Sequence, residues 1–277
     1  DQSYKSILPT RDSICQDTGY PAITNSTIPS KSIEDYGFML TGESGKARDD
    51  CGSYRWKGCL NRSNHPENKI FVRGFRSSCN MRSCPVCIKG YCNREAKIAQ
   101  RRIRAFKTQA YRSPIHVTIS PSRDHYHKDA KTLRKISYRL LKKVGVKGGL
   151  IVFHPARRKA SGRDWSPHFH IIGFGWVLGD EVAKLYESEG WIVKNHGVRK
   201  NVGGVVRYLA SHAGVKKGFN SISWFGLLSF NKLKIQGSHK DDVTVCPYCS
   251  VELVNLEYYG IAAVSYTHLT LPTKRIV

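Results

Sequence analysis

Ser166-Pro167-His168-Phe169-His170-Ile171-Ile172-Gly173-Phe174-Gly175 reads as a short apolar strand carrying two histidines two residues apart. Side chains in a strand alternate between faces, so His168 and His170 share one face while Phe169 and Ile171 take the other. Two imidazoles on one rigid surface suit a divalent metal. Polar residues on half-buried strands commonly just face water, so the pair gains its weight only from its surroundings.

Upstream, Ile115, Val117 and Ile119 alternate with His116 and Thr118, which predicts a strand over 114–120 closed by Pro121. A helix over 129–144 follows, with Asp129 as N-cap and Leu133, Ile136, Leu140 and Val144 as its core stripe. Residues 149–154 form a second strand that precedes the histidine strand. Asp180 caps a short helix ended by Gly190, and 191–194 is a fourth strand. A helix over 202–213 packs through Val202, Val206, Leu209 and Ala213 and stops at Gly214. It carries Tyr208 and His212 one turn apart on another face. A fifth strand runs over 222–230, with aromatics that suit either base stacking or the core. Strand, helix, strand, strand, helix, strand is the split βαβ order of ferredoxin-like, RRM-like α+β folds. The expected sheet is five-stranded and largely antiparallel, with one face open for ligands.

The chain of 277 residues carries 45 Lys and Arg against 21 Asp and Glu, a formal net charge of +24, and its pI is about 9.8. That balance suits a polyanionic partner, because each phosphate neutralised releases condensed counterions. Hydrophobic residues make up 40% of the chain without a long apolar run, which fits a globular protein and gives no membrane span. No amphipathic anchor or lipidation motif points to a membrane surface. A helix over 93–107 packs through Ala96, Ala99, Ile103 and Phe106 and presents Arg94, Lys97, Arg101 and Arg104 on a separate stripe, as suits a helix lying along a phosphate backbone. Arg157, Arg158, Lys159 and Arg163 make a basic loop before the histidine strand.

Nine cysteines, with Cys84-x2-Cys87 and Cys246-x2-Cys249 among them and no secretory h-region in front, speak for zinc in a reducing, cytoplasmic compartment. Structural zinc takes four S or N ligands in a tetrahedron, and a pair two residues apart supplies two of them. The spacing leaves the other ligands open. Cys51, Cys59, His65 and Cys79 form a second site, or Cys79 or Cys92 joins the Cys84/Cys87 knuckle. Cys246 and Cys249 make a further knuckle that pairs with one of the upstream pairs to close a ribbon. Cys15 reads as an unliganded thiol. The domains expected are an irregular lead-in over 1–50, a zinc-binding module with the basic helix over 51–107, the histidine domain over 108–235 and a C-terminal zinc knuckle over 236–263. Residues 264–277 are similar to translated sequencing-adapter tails and are expected to be non-native. The first methionine is Met39, as fits a piece of a longer protein.

Taken together, these motifs resemble the HUH superfamily of single-strand DNA endonucleases, most closely the rolling-circle replication initiators of archaeal plasmids and viruses. Pro167-His168-Phe169-His170-Ile171-Ile172-Gly173-Phe174-Gly175 is similar to the family's histidine motif, and Arg207-Tyr208-Leu209-Ala210-Ser211-His212-Ala213-Gly214 to its nucleophile motif. His116 to Pro121 resembles its first motif strand, and the likeness spans about residues 51–255. It implies that His168 and His170 hold Mg2+ or Mn2+ against a scissile phosphate, with His212 as candidate third ligand. It also implies that Tyr208 attacks, leaving a 5′-phosphotyrosine and a 3′-hydroxyl that primes synthesis. The partners implied are single-stranded origin DNA and, because no ATP-binding Gly-x-x-x-x-Gly-Lys-Ser/Thr is present, a host helicase and polymerase. Relatives with two tyrosines in this motif differ from this chain, where a second protomer or another hydroxyl would renew the nucleophile. A non-catalytic zinc-ribbon regulator explains the charge and cysteines equally well but gives the histidine strand and Tyr208 no task. A transposase or relaxase of the same superfamily would use the same chemistry.

Overall fold

The structure, a computed structural model, describes residues 31–43, 46–47, 49–110, 113–157, 164–235, 245–258 and 274–276. β1 (Met39–Leu40) is followed by the hairpin of β2 (Tyr54–Cys59) and β3 (Phe71–Arg76) and by the long helix α1 (Ile88–Ala110). Next come β4 (Ile115–Ser120), α2 (Ala130–Lys143), β5 (Val146–Ala156), β6 (Trp165–Gly175), α3 (Gly179–Glu189) and β7 (Ile192–Val198). After these run α4 (Val202–Ser211), β8 (Gly214–Val215), β9 (Ile222–Gly226), β10 (Val254–Tyr258) and β11 (Lys274–Ile276). The lead-in over 1–30 with Cys15, the basic-loop residues Arg158, Lys159 and Arg163, and the tail over 264–273 lie outside the described residues.

Strands that carry apolar residues on both faces need cover on both sides, and the main sheet has it. Five strands pair in the order β7-β4-β6-β5-β9, and every neighbouring pair is antiparallel. On one face Val117, Ile119, Phe153, Phe169 and Ile171 are buried together with Leu133, Leu140 and Leu141 of α2 and Leu185 of α3. On the other, Leu150, Val152, Ile172 and Phe174 pack against Ala99 and Ile103 of α1 and against Val206, Leu209 and Ala210 of α4. This is a mixed α+β architecture with the expected five strands. The face predicted to be open differs, because α1 and α4 cover its Ile172–Phe174 end. Only the end carrying His168 and His170 is left beyond them.

Several local signals act as the sequence predicts. Asp129 caps α2 by accepting from the backbone N–H groups of Lys131 and Thr132, and Gly190 ends α3 in the left-handed region at φ 65°. Others shift. α3 starts two residues earlier, with Leu178 in the cap position, so Asp180 belongs to the first turn, where its charge favours the helix N-terminus. Gly214 opens β8 rather than stopping α4, and His212 is the C-cap. β9 ends at Gly226, whose φ of 59° turns the chain away, so residues 227–230 leave the sheet. Buried Arg102 of α1 holds that turn by donating to the carbonyls of Leu228 at 2.7 Å and Leu233 at 3.1 Å.

A second sheet of four strands runs β11-β10-β2-β3. β10, which follows the C-terminal knuckle, pairs with β2 of the N-terminal zinc module. β1 pairs with β8, and Thr41 donates to the Ala213 carbonyl, tying the start of the described chain to the end of α4.

In β5 and β6, Gly149 faces Gly173, and a Cβ at position 149 would lie 2.5 Å from the Ile172 carbonyl oxygen and 2.6 Å from Gly173 Cα. Backbone atoms cannot yield as a flexible side chain would. Gly149→Val is expected to destabilise the chain by about 3 kcal/mol, read as a lower midpoint in urea denaturation.

Candidate metal centres and the imidazole face

Two groups of sulfur and nitrogen atoms have the composition of structural zinc sites, and they sit at opposite ends of the β2–β3 hairpin. The first is Cys51, Cys79, Cys84 and Cys87. Cys51 precedes β2, Cys79 follows β3, and Cys84 and Cys87 lie just before α1, where the Ile88 N–H donates to the Cys84 carbonyl. The sulfur of Cys51 is 3.0 Å from that of Cys87 and 3.6 Å from that of Cys84, and Cys79 is 3.7 Å from Cys87. A disulfide requires about 2.05 Å, whereas ligands about 2.3 Å from one tetrahedral zinc are separated by about 3.8 Å. The distances thus exclude the first chemistry and approach the second. Hydrogen bonds from Cys51 and Ser78 draw the Cys87 thiol down to about 6, the thiolate form that a metal needs.

The second group is Cys59, His65, Cys246 and Cys249. His65 Nε2 lies 3.2 Å from Cys246 Sγ and 3.3 Å from Cys249 Sγ, while Cys59 Sγ is 3.5 Å from Cys249 Sγ. His65 Nδ1 donates to the Lys69 carbonyl at 2.7 Å, which fixes the tautomer and leaves Nε2 as the ligating atom. The Val251 backbone N–H, then His65, lower Cys249 to about 7. Ser250 takes a positive φ of 58° so that its N–H can reach the Cys246 carbonyl at 2.9 Å, closing the knuckle. The sequence left the partners of Cys51, Cys59, His65 and Cys79 open, and the structure divides them between the two groups. Cys79 joins Cys84 and Cys87, and Cys92, a residue of α1, is buried in the apolar core. All eight predicted zinc residues lie in sites that can bind zinc.

The third group is His154, His168 and His170. β5 and β6 pair so that His154 stands opposite His168, which places it on the same face. Ring centroids lie 5.3 Å apart for His154 and His168, 4.6 Å for His154 and His170, and 5.1 Å for His168 and His170. Each ring has one nitrogen engaged by the protein. His154 Nε2 donates to the Leu209 carbonyl of α4 at 2.9 Å, and His168 Nδ1 donates to the Ser166 carbonyl at 2.9 Å. His170 Nδ1 lies 3.0 Å from both Thr118 Oγ1 and His116 Nε2. The other nitrogen of His154 and of His168 is left with its lone pair, and that of His170 is left with one when Nδ1 donates to Thr118 Oγ1, the pattern of histidines oriented for metal ligation by a surrounding layer of hydrogen bonds.

Burial, reinforced by neighbouring imidazoles, keeps these rings neutral. It lowers His168 to about 4 and His116 to about 3, and pushes His154 and His170 well below the usual imidazole range. His196 of β7, also lowered mainly by burial, contacts Thr118 Oγ1 at 2.8 Å and stacks on His116 with centroids 4.4 Å apart. Two cations flank the face. Arg157 lies close enough to depress His168, and Arg199 does the same to His116 and His196.

Of the residues singled out in the sequence, His168 and His170 fall in this group, whereas His212 does not. Its ring stands 6.2 Å from that of His154, and its Nδ1 lies 3.0 Å from the Tyr208 carbonyl at the end of α4. The Tyr208 ring is 4.6 Å from His212 and 63% exposed. Ring contacts thus run from Tyr208 through His212 to His154. Sequence reasoning missed His154, His116 and His196. Period two in Leu150, Val152 and His154 held the only signal for the first of them, and it becomes legible only once β5 is paired with β6. No family profile, curated protein or solved structure matches the chain. Among the described residues no helix is long and apolar enough to cross a membrane.

Two zinc ions per chain are expected by atomic emission from protein purified without chelator. Cys87→Ser and Cys249→Ser should each remove one, and a zinc content near zero in the wild type would refute both sites. If the imidazole group, which could hold a metal ion, takes Mn2+, His154→Ala is expected to weaken its binding at least tenfold by calorimetry, as should His168→Ala with His170→Ala. His212→Ala is expected to leave the affinity within about twofold.

Proposed function

We propose that the chain is a metal-dependent nickase of single-stranded DNA that acts by transesterification, in the manner of the HUH replication initiators its motifs resemble. What carries this reading is the group of three neutral imidazoles, each oriented by a hydrogen bond, with an exposed tyrosine one histidine away. The connectivity β4-α2-β5-β6-α3-β7 with spatial order β7-β4-β6-β5 agrees with a ferredoxin-like core. The order of motifs along the chain agrees with the superfamily.

Under this reading His154, His168 and His170 hold Mg2+ or Mn2+, and an all-imidazole set fits Mn2+ better than Mg2+. When bound, the ion polarises the scissile phosphate. Tyr208 Oη bonds to phosphorus as the bond from phosphorus to the 3′ oxygen breaks, giving a 5′-phosphotyrosine. The phenolic proton leaves to His212, whose Nε2 is the free lone pair when Nδ1 donates to the Tyr208 carbonyl. The departing 3′ oxygen takes a proton from water and becomes the 3′-hydroxyl. Arg157 and Arg199 lie on either side of the imidazoles and oppose the negative charge that gathers on the phosphate. The strand would come from a plasmid or viral origin, with helicase and polymerase supplied by the host cell in its cytoplasm.

The non-catalytic reading keeps the zinc sites and the charge but assigns no role to the buried imidazoles. Incubation of the purified chain with labelled single-stranded origin DNA and Mn2+ is expected to give a covalent adduct on a denaturing gel. Tyr208→Phe should lower adduct formation by at least about 10³-fold while DNA and Mn2+ affinities stay within about twofold. Binding without any adduct in the wild type would favour the regulator.

A further inference from the structure

A cleft of about 360 Å³ opens between the C-terminal half of α1 and the connection from β7 to α4. Arg104, Lys107, Arg199 and Lys200 line it together with Gln100 and Asn201, and no acidic residue does. None of these four cations forms an ion pair among the described residues. Arg199 is half-buried, and its Nε is enclosed without a hydrogen-bond acceptor, an arrangement that costs free energy unless an anion supplies the missing contact.

We infer that this cleft is a phosphate subsite that grips the backbone of a single DNA strand beside the imidazole face. Gathered cations and an unpaired buried donor match a phosphodiester chain, whose oxygens can satisfy several N–H groups at once. Position supports the same partner. Arg199 lines the cleft and directly follows β7, the strand that carries His196 and pairs with β4, which carries His116. α4 contributes Val202 to the cleft and carries exposed Tyr208 six residues on, or roughly 9 Å along the helix axis. One strand can therefore engage both. The cleft holds a phosphate by charge and reads no base, so it sets the strand's register and leaves sequence choice to other residues.

The inference rests on the single-strand DNA reading above, and binding separates it from chemistry. The probe is a fluorescent oligothymidylate titrated at several salt concentrations. Arg104, Lys107 and Lys200 are exposed, so Arg104→Gln/Lys107→Gln/Lys200→Gln is expected to melt like the wild type. It should flatten the plot of log affinity against log salt by about 2 and weaken binding roughly tenfold at moderate salt. Arg199→Gln is expected to flatten it by a further amount of about 0.7. The control Lys131→Gln/Lys135→Gln/Lys142→Gln removes the same charge from α2 on the opposite side of the sheet and should change the slope by less than half as much. An unchanged slope in the cleft variant, or an equal loss in the control, overturns the subsite. A wild type that binds with the predicted slope change yet forms no adduct keeps the subsite and removes the nicking reading.

Discussion

Gly149 and Gly173 let the backbones of β5 and β6 approach without a side chain between them, and this contact fixes the register of the strand pair at the centre of the fold. With that register His154 meets His168, Val152 meets His170 and Phe153 meets Phe169. A slip of one residue would turn every side chain of one strand to the opposite face. His154 would then enter the apolar layer under α2, and Phe153 would stand among the imidazoles. The two cores on either side of the sheet resist such a slip because each strand buries apolar residues on both faces.

The same constraint explains why the imidazoles are neutral with no carboxylate among the described residues acting on them. α1 and α4 seal the Ile172–Phe174 end of the face, and the Leu209 carbonyl reaches down onto His154. The rings thus stand at the edge of a dry layer, where protonation is opposed by desolvation and by each neighbouring imidazole. A helix that carries an exposed Tyr208 on one side and orients a buried histidine on the other couples the two. Any movement of α4 that shifts the tyrosine also disturbs the ring beneath it.

Local patterns were legible from sequence wherever they need no partner. The face shared by His168 and His170 follows from period two, the Asp129 cap from its place before a helical stripe, and the Cys-x2-Cys knuckles from their spacing. Long-range pairing was not legible. His154 takes its place only through β5–β6 pairing, so His212, one turn from Tyr208, was the nearer candidate from sequence alone. The knuckles announced zinc but not their partners, since Cys59 and Cys249 are 190 positions apart. The open face was misjudged because the cover that α1 provides depends on packing between segments that the strand pattern does not describe. β2 and β3 are hard to read as strands because Arg, Lys and Gly fill so many of their positions, whereas β10 alternates over only five residues, Val254–Tyr258.

The two cysteine-rich groups, similar in chemistry, differ in when they can exist. Cys51, Cys79, Cys84 and Cys87 all emerge early in synthesis and can take a zinc ion before the main sheet has been made. Cys59 and His65 must wait for Cys246 and Cys249, which arrive after β9. The early site can template α1, while the late site fastens the last strands to the first only when everything between them has been synthesised. Metal availability during translation would therefore act twice, first on the segment leading into α1 and later on the junction of β10 with β2.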